Sequence, residues 1–165
     1  MDGVVREIDG LALADPADLP HRFGSAEDHR MLATWRAGFP AVDALTVFDA
    51  EGRLLATSRG FPAPPINVAD RECFQAARDA PEGQVHLSAP VITRTTRAWT
   101  IHLCRRISAA DGDFLGVAVA GLTAESFARF YQAIRLDRAD PQPELSAMSL
   151  LRRDLTLLAR APHDP

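Results

Sequence analysis

Residues 99–122 read WTIHLCRRISAADGDFLGVAVAGL. From Ala98 to Ile107 the side chains alternate. Trp99, Ile101 and Leu103 fall on one face and Thr100, His102 and Cys104 on the other, the period of two that a strand imposes. Ala110-Asp111-Gly112 is turn chemistry, and Phe114–Leu122 resumes as a second long strand. One of its faces carries Leu115, Val117 and Val119, the other Gly116, Ala118 and Ala120. The stretch predicts a long antiparallel hairpin. The small residues leave room above the sheet, which suits a small-molecule cavity and equally a closely packed helix.

Working outward, Ala44–Asp49 and Arg53–Ser58 are short β-rich runs around Ala50-Glu51-Gly52, a second hairpin. Val85–Ser88 and Val91–Thr93 are strand-like and are broken by Pro90. Residues 2–14 predict a helix with Val4, Ile8 and Leu11 on one face. Ser25 reads as the N-cap of another helix, with Asp28 placed for a capping box and Met31, Leu32 and Trp35 on one face. Gly38 and Pro40 end it.

Residues 59–69, RGFPAPPINVA, predict an ordered loop without regular structure. Asp70 is expected to cap a short helix, Arg71–Asp79. Thr123 opens a helix through Arg135, residues 137–143 form a linker, and 149–159 hold two strand-like pieces around Asp154. The pattern is α+β: an antiparallel sheet of about five strands, with a long N-terminal helical segment and helices on its faces. One face packs under the N-terminal helices, and the other opens beneath residues 59–79.

Bulk properties narrow the function. The 165 residues suffice for one ordinary domain. A net charge of −4 offers no basic field for nucleic acid. All 18 basic residues are arginine, a side chain suited to bidentate carboxylate binding. The longest uncharged apolar run, Phe114–Ala124, has 11 residues, against the roughly 20 of a membrane-spanning helix. Taken alone, that describes a soluble cytoplasmic domain. No nucleophile elbow, zinc-protease helix, phosphate loop or dinucleotide turn is present, so neither catalysis nor a metal or cofactor is expected. Cys73 and Cys104 lack metal-site spacing. They read as buried small hydrophobes, or as a disulfide if the compartment is oxidising.

LTVFDAEGRLLATS (residues 45–58), NVADRECF (67–74) and the hairpin 99–122 occur in an order that resembles the double-Cache (PDC, PAS-like) sensor domains. Such domains lie outside the membrane in bacterial histidine kinases, diguanylate cyclases and chemoreceptors. The resemblance implies an extracytoplasmic, periplasmic ligand-sensing domain, membrane-anchored in the full-length protein, with a homodimer formed through the N-terminal helix. The alternative is a cytoplasmic PAS or GAF-like regulatory or dimerisation domain. It further implies a helical segment over 1–43, a membrane-distal PAS-like module over 44–136, and a linker with the start of a proximal module over 137–165. In that opening the family tends to Asp-Gly, where this chain has Asp154-Leu155.

The amino-acid-binding branch carries Arg-x-Trp-Tyr over the pocket and a later Asp for the ligand amine. Arg71-Glu72-Cys73-Phe74 matches only at the arginine, and no carboxylate lies near Gly121. A small organic acid is therefore the expected partner, with Arg71 on its carboxylate. The candidate ligand-binding residues are Arg71, Asp70, Phe74, Arg97, Trp99, Thr100, His102 and Ala120. Each has a plainer role open to it. Arg71 and Arg97 also read as solvated charge, Asp70 as a helix cap, His102 as a bonded core histidine, and the others as packing.

Overall fold

The computed structural model describes Leu19 and residues 23–94, 96–123, 125–126, 128–129 and 148–161. The helix expected over 2–14, most of that expected through Arg135, and the linker 137–143 lie outside them. The helix α1 (Ala26–Ala37) starts as its sequence dictates. Ser25 Oγ accepts from the Glu27 and Asp28 N–H groups, and Asp28 Oδ2 accepts from Ser25 N–H at 2.8 Å. These reciprocal bonds satisfy donors that a helix end leaves free.

The main sheet is antiparallel throughout. Its strands are β1 (Ala44–Asp49), β2 (Leu54–Thr57), β3 (Val85–Leu87), β4 (Val91–Ile92), β5 (Trp99–Ser108) and β6 (Phe114–Thr123). The order is β2-β1-β6-β5-β3, and β4 pairs with the start of β5 on the same edge as β3. Pro90 separates the two short strands. A further two-stranded hairpin joins β7 (Met148–Leu151) and β8 (Leu157–Ala161).

Alternation sorts the sheet into two apolar layers. Leu45, Val47, Ala118 and Ala120 face Leu19, Phe23 and Leu32 on the α1 side. Phe48, Cys104, Val117 and Val119 face the second helix, α2 (Glu72–Asp79), through Cys73, Phe74 and Ala77. The expected grouping of Leu115 with Val117 and Val119 is corrected. The pairing shifts between Ile107 and Ser108, and Leu115 joins the α1-side core, because an extra residue reverses the faces beyond it. Close packing, and not a cavity, explains Gly116, Ala118 and Ala120 of β6. A Cβ on Gly116 would lie 2.1 Å from the Phe48 carbonyl oxygen and 2.9 Å from Leu19 Cδ2.

On the other face, residues 59–69 have no helix or strand, as expected, and they are pinned to the β1–β2 hairpin. Leu54 N–H donates to Ile66 O, Val68 N–H donates to Gly52 O, and Arg53 bridges Asn67. The cap assignment for Asp70 fails. Arg71 occupies the N-cap position of α2 with extended backbone and no side-chain cap, and its N–H donates to Val68 O at 2.9 Å. Asp70 is drawn away to Arg94. Helix α2 is instead held from its sides. Cys73 forms a disulfide with Cys104 of β5, and Arg106 donates to the Arg78 carbonyl while lying 5.0 Å over the Phe114 ring.

Candidate functional site

Between α2, the 59–69 loop and the sheet lies a cavity of about 110 Å³. A water needs roughly 10–15 Å³ by this measure, so the space fits a metabolite of amino-acid or organic-acid size. The strand register builds its floor. Ala44, Gly121 and His102 lie abreast on β1, β6 and β5, followed by Thr46, Val119 and Cys104. Thr100 extends the floor, and Phe48 and Leu54 close one end. Ile66, Val68, Arg71 and Phe74 form the roof. Val91, Ile92, Thr93, Arg94 and Thr96 wall the side.

The polar floor is mostly self-satisfied. Thr46 Oγ1 donates to Val119 O at 3.3 Å and Thr100 Oγ1 to Ala98 O at 3.2 Å. Buried Ser88 accepts from His102 N–H at 2.9 Å and donates to Ala89 O. The His102 imidazole has no hydrogen-bond partner among the described residues. Burial, and secondarily the Arg71 charge, lower its pKa below the ordinary imidazole value.

The charged rim divides into engaged and free groups. Arg59 pairs with Asp43. Arg94 grips Asp70 through two parallel bonds, at 3.0 and 2.6 Å, and also donates to Asn67 O. Glu72 Oε1 lies 3.6 Å from Arg152 and 3.4 Å from His86 Nε2, the latter without hydrogen-bond alignment. Arg71 lines the cavity, and its guanidinium makes no hydrogen bond or ion pair to any described residue. Its guanidinium is therefore the unengaged cation of the roof.

Of the sequence candidates, the fold brings Arg71, Phe74, Thr100 and His102 to this cavity. It separates the other four. Asp70 is held by Arg94 outside the wall. Arg97 is exposed at positive φ in the turn before β5. Trp99 is 61% exposed on the opposite face of β5, and Ala120 is buried in the α1-side core. Sequence reasoning missed Arg59, Ser88 and Arg94. Arg94 sits in an irregular turn whose position no local pattern fixes. Ser88 could have been found only from its register opposite His102. No group of His, Cys, Asp or Glu among the described residues could hold a metal ion.

No family model and no curated protein matches the sequence. Solved structures do. The extracellular domain of the histidine kinase rpHK1S-Z16 is 26% identical at a TM-score of 0.74, covering 98% of this chain and 61% of its own. The ligand-binding domain of Pseudomonas fluorescens chemoreceptor CtaA, solved with L-serine, is 17% identical at a TM-score of 0.63, covering 98% and 64%. The sensor domain of V. cholerae histidine kinase DctB is 18% identical at a TM-score of 0.53, covering 64% and 40%.

The chain has the fold of a Cache-type, PAS-like extracytoplasmic sensor domain. Its solved relatives are sensing and ligand-binding domains, not catalytic ones. The chain spans less than two thirds of their length. Among the described residues no helix is long and apolar enough to cross a membrane. The Cys73–Cys104 bond of this sensor domain is of the kind that persists in an oxidising compartment.

Proposed function

We propose that this sensor domain is the non-catalytic, extracytoplasmic sensing part of a membrane-anchored bacterial receptor, and that its cavity binds a small organic acid. The kinase, cyclase or chemoreceptor output is left to the rest of the receptor. Residues 1–43 would serve as the helical, dimer-forming segment, 44–136 as the membrane-distal sensing module, and 137–165 as the link toward a proximal one.

The unengaged guanidinium of Arg71 carries the ligand reading. A buried or half-buried cation facing a cavity calls for an anion, and a carboxylate matches the guanidinium fork. Phe74 and Thr100 would shape the remainder of the ligand. The related chemoreceptor domains were solved with amino acids, ligands that share the carboxylate. An ammonium needs a free carboxylate as well. Here Asp43 is engaged by Arg59, and Glu72 lies against His86 and Arg152, which favours an acid without an amine.

Thermal shift with matched pairs tests this: L-lactate against L-alanine, and glycerate against L-serine. The hydroxy acids should raise the melting temperature by binding linkage, and the amino acids should not. Arg71→Ala should weaken binding by roughly ten- to a hundred-fold, the loss of a charge-assisted hydrogen bond. Tighter binding of the amino acids would overturn the ligand class and make Asp43 the amine partner.

A further inference from the structure

Arg71, at the N-cap of α2, and His102, on β5, line the same cavity, and the Arg71 charge reaches the His102 imidazole. Neither side chain has a hydrogen-bond partner among the described residues, and both border the cavity. His102 is fixed in place by its main chain. Its N–H donates to Ser88 Oγ, its carbonyl accepts from Ser88 N–H at 2.9 Å, and it lies opposite Gly121 in the sheet. A Cβ on Gly121 would touch His102 Cδ2 at an ordinary 3.8 Å and press more closely, at 3.3 Å, on Thr100 Cγ2.

We propose that His102 is the second arm of the anion site, and that it takes up a proton from solvent as a carboxylate settles between it and Arg71. This rests on the carboxylate reading above and adds to it a proton-linked response, so that the domain would report acid and acidity together. In the empty cavity, burial and the Arg71 charge both oppose a second positive charge. A bound carboxylate reverses the second effect, because it neutralises the guanidinium and offers the imidazolium an acceptor. The affinity of the ring for a proton then rises on binding. By linkage, the affinity of the protein for the carboxylate rises as pH falls.

The other charged groups around His102 can be named. From α2 and its N-cap come Arg71 and Glu72. His86 comes from β3, Arg94 from the turn before β5, and the Asp43–Arg59 pair from the mouth of the cavity. The arginines stay charged throughout the neutral range. Asp70 is bound by Arg94, with its pKa lowered by that hydrogen bond. His86, beside Glu72 and paired with Cys104 across β3 and β5, serves as the control.

The ring signals of His102, assigned by their loss in His102→Gln, can be followed by NMR from about pH 5 to pH 8. One series contains sodium acetate, and a matched series contains sodium chloride. Acetate should move the His102 titration upward, and acetate affinity should rise by up to roughly tenfold per pH unit across the shifted range. His102→Gln should bind acetate with a flat pH profile, while His86→Gln should keep the slope. In Arg71→Ala without acetate, the His102 titration should move upward, which checks that the two side chains share one field. If acetate perturbs the amides around Arg71 but leaves the His102 titration unchanged, the inference fails and the carboxylate site stands. If neither acetate nor any hydroxy acid perturbs the cavity at any pH, the carboxylate reading itself is wrong.

Discussion

Asp70 and Arg94 meet through two parallel hydrogen bonds, Nη1–Oδ1 at 3.0 Å and Nη2–Oδ2 at 2.6 Å, and so tie the turn before β5 to the entry of α2. The geometry is the bidentate fork that makes arginine–carboxylate pairs specific. Both side chains are largely solvated, so the pair should act on the local order of the lid more than on global stability. We expect Asp70→Asn and Arg94→Ala to leave the melting temperature almost unchanged while speeding amide exchange over residues 66–79. The Arg94 hydrogen bond lowers the pKa of Asp70 below the ordinary carboxylate value. The clamp is therefore complete above about pH 4 and is lost as pH falls through the lowered value. High salt should mimic the variants. Exchange over 66–79 that is equal in wild type and variants would show that the lid is held elsewhere.

The bond between Cys73 and Cys104 closes a loop across 31 positions. In the chain-entropy treatment that restricts the unfolded state by roughly 3–4 kcal/mol. The bond also anchors the first turn of α2 to the cavity floor. Chemical denaturation with and without a dithiol reductant should therefore differ in midpoint. A Cys73→Ser, Cys104→Ser double variant should match the reduced protein. Because the lid loses its tether, ligand affinity should fall further than stability alone explains. Identical midpoints would mean that the reduced chain is already as restricted as the bridged one.

Much of the scaffold was legible because it is local. The alternation from Trp99 to Cys104 correctly separated the two faces of β5, and Ser25 with Asp28 marked the start of α1 as observed. What could not be read was the identity of the face that meets the cavity. That depends on β6 lying between β1 and β5 in a fixed register, and on a bulge near Leu115 that no local pattern signals. Asp70 failed for a related reason. A cap is a preference of about 1 kcal/mol, and a cation arriving from a distant turn outcompeted it. The disulfide was undecidable, because two cysteines separated by a helix, two strands and a loop become neighbours only in the folded chain.

Gly52 has φ of +78°, and a Cβ there would stand 2.6 Å from Ala69 N and 2.9 Å from Ala69 Cα. Its carbonyl also accepts from Val68 N–H at 2.9 Å. The hairpin turn and the roof loop thus approach backbone to backbone, and only glycine permits both the conformation and the contact. Gly52→Ala should destabilise the protein by about 1–3 kcal/mol, read from the denaturation midpoint. It should also weaken ligand binding, because Ile66 and Val68 lose their seat. Wild-type binding in a folded Gly52→Ala variant would separate the loop from the site.

The β7–β8 hairpin should be the first described element to open. Two short strands cannot stabilise themselves in water, and this pair is held by few attachments. Leu158 and Ala159 pack on Ile101 of β5, and Arg152 reaches Leu87 O at 3.5 Å and Glu72 at 3.6 Å. Leu151 and Leu157 remain about half exposed. Arg152 also bonds Asp154 at 2.5 Å, and that hydrogen bond, followed by those from Thr156, holds the Asp154 carboxyl well below the usual carboxylate range. The turn is then intact above about pH 4 and weakens only in stronger acid. Hydrogen exchange at neutral pH should show residues 148–161 opening before 99–123. Leu158→Ala should abolish protection in the hairpin while sparing β5 and β6, because it removes a buried anchor that belongs to a satellite cluster. Arg152→Ala should do the same more weakly. It should also loosen α2 at Glu72, since one guanidinium bridges the hairpin and the roof of the cavity. Loss of protection spread evenly across 99–123 in Leu158→Ala would instead make the hairpin part of the same cooperative unit as the main sheet.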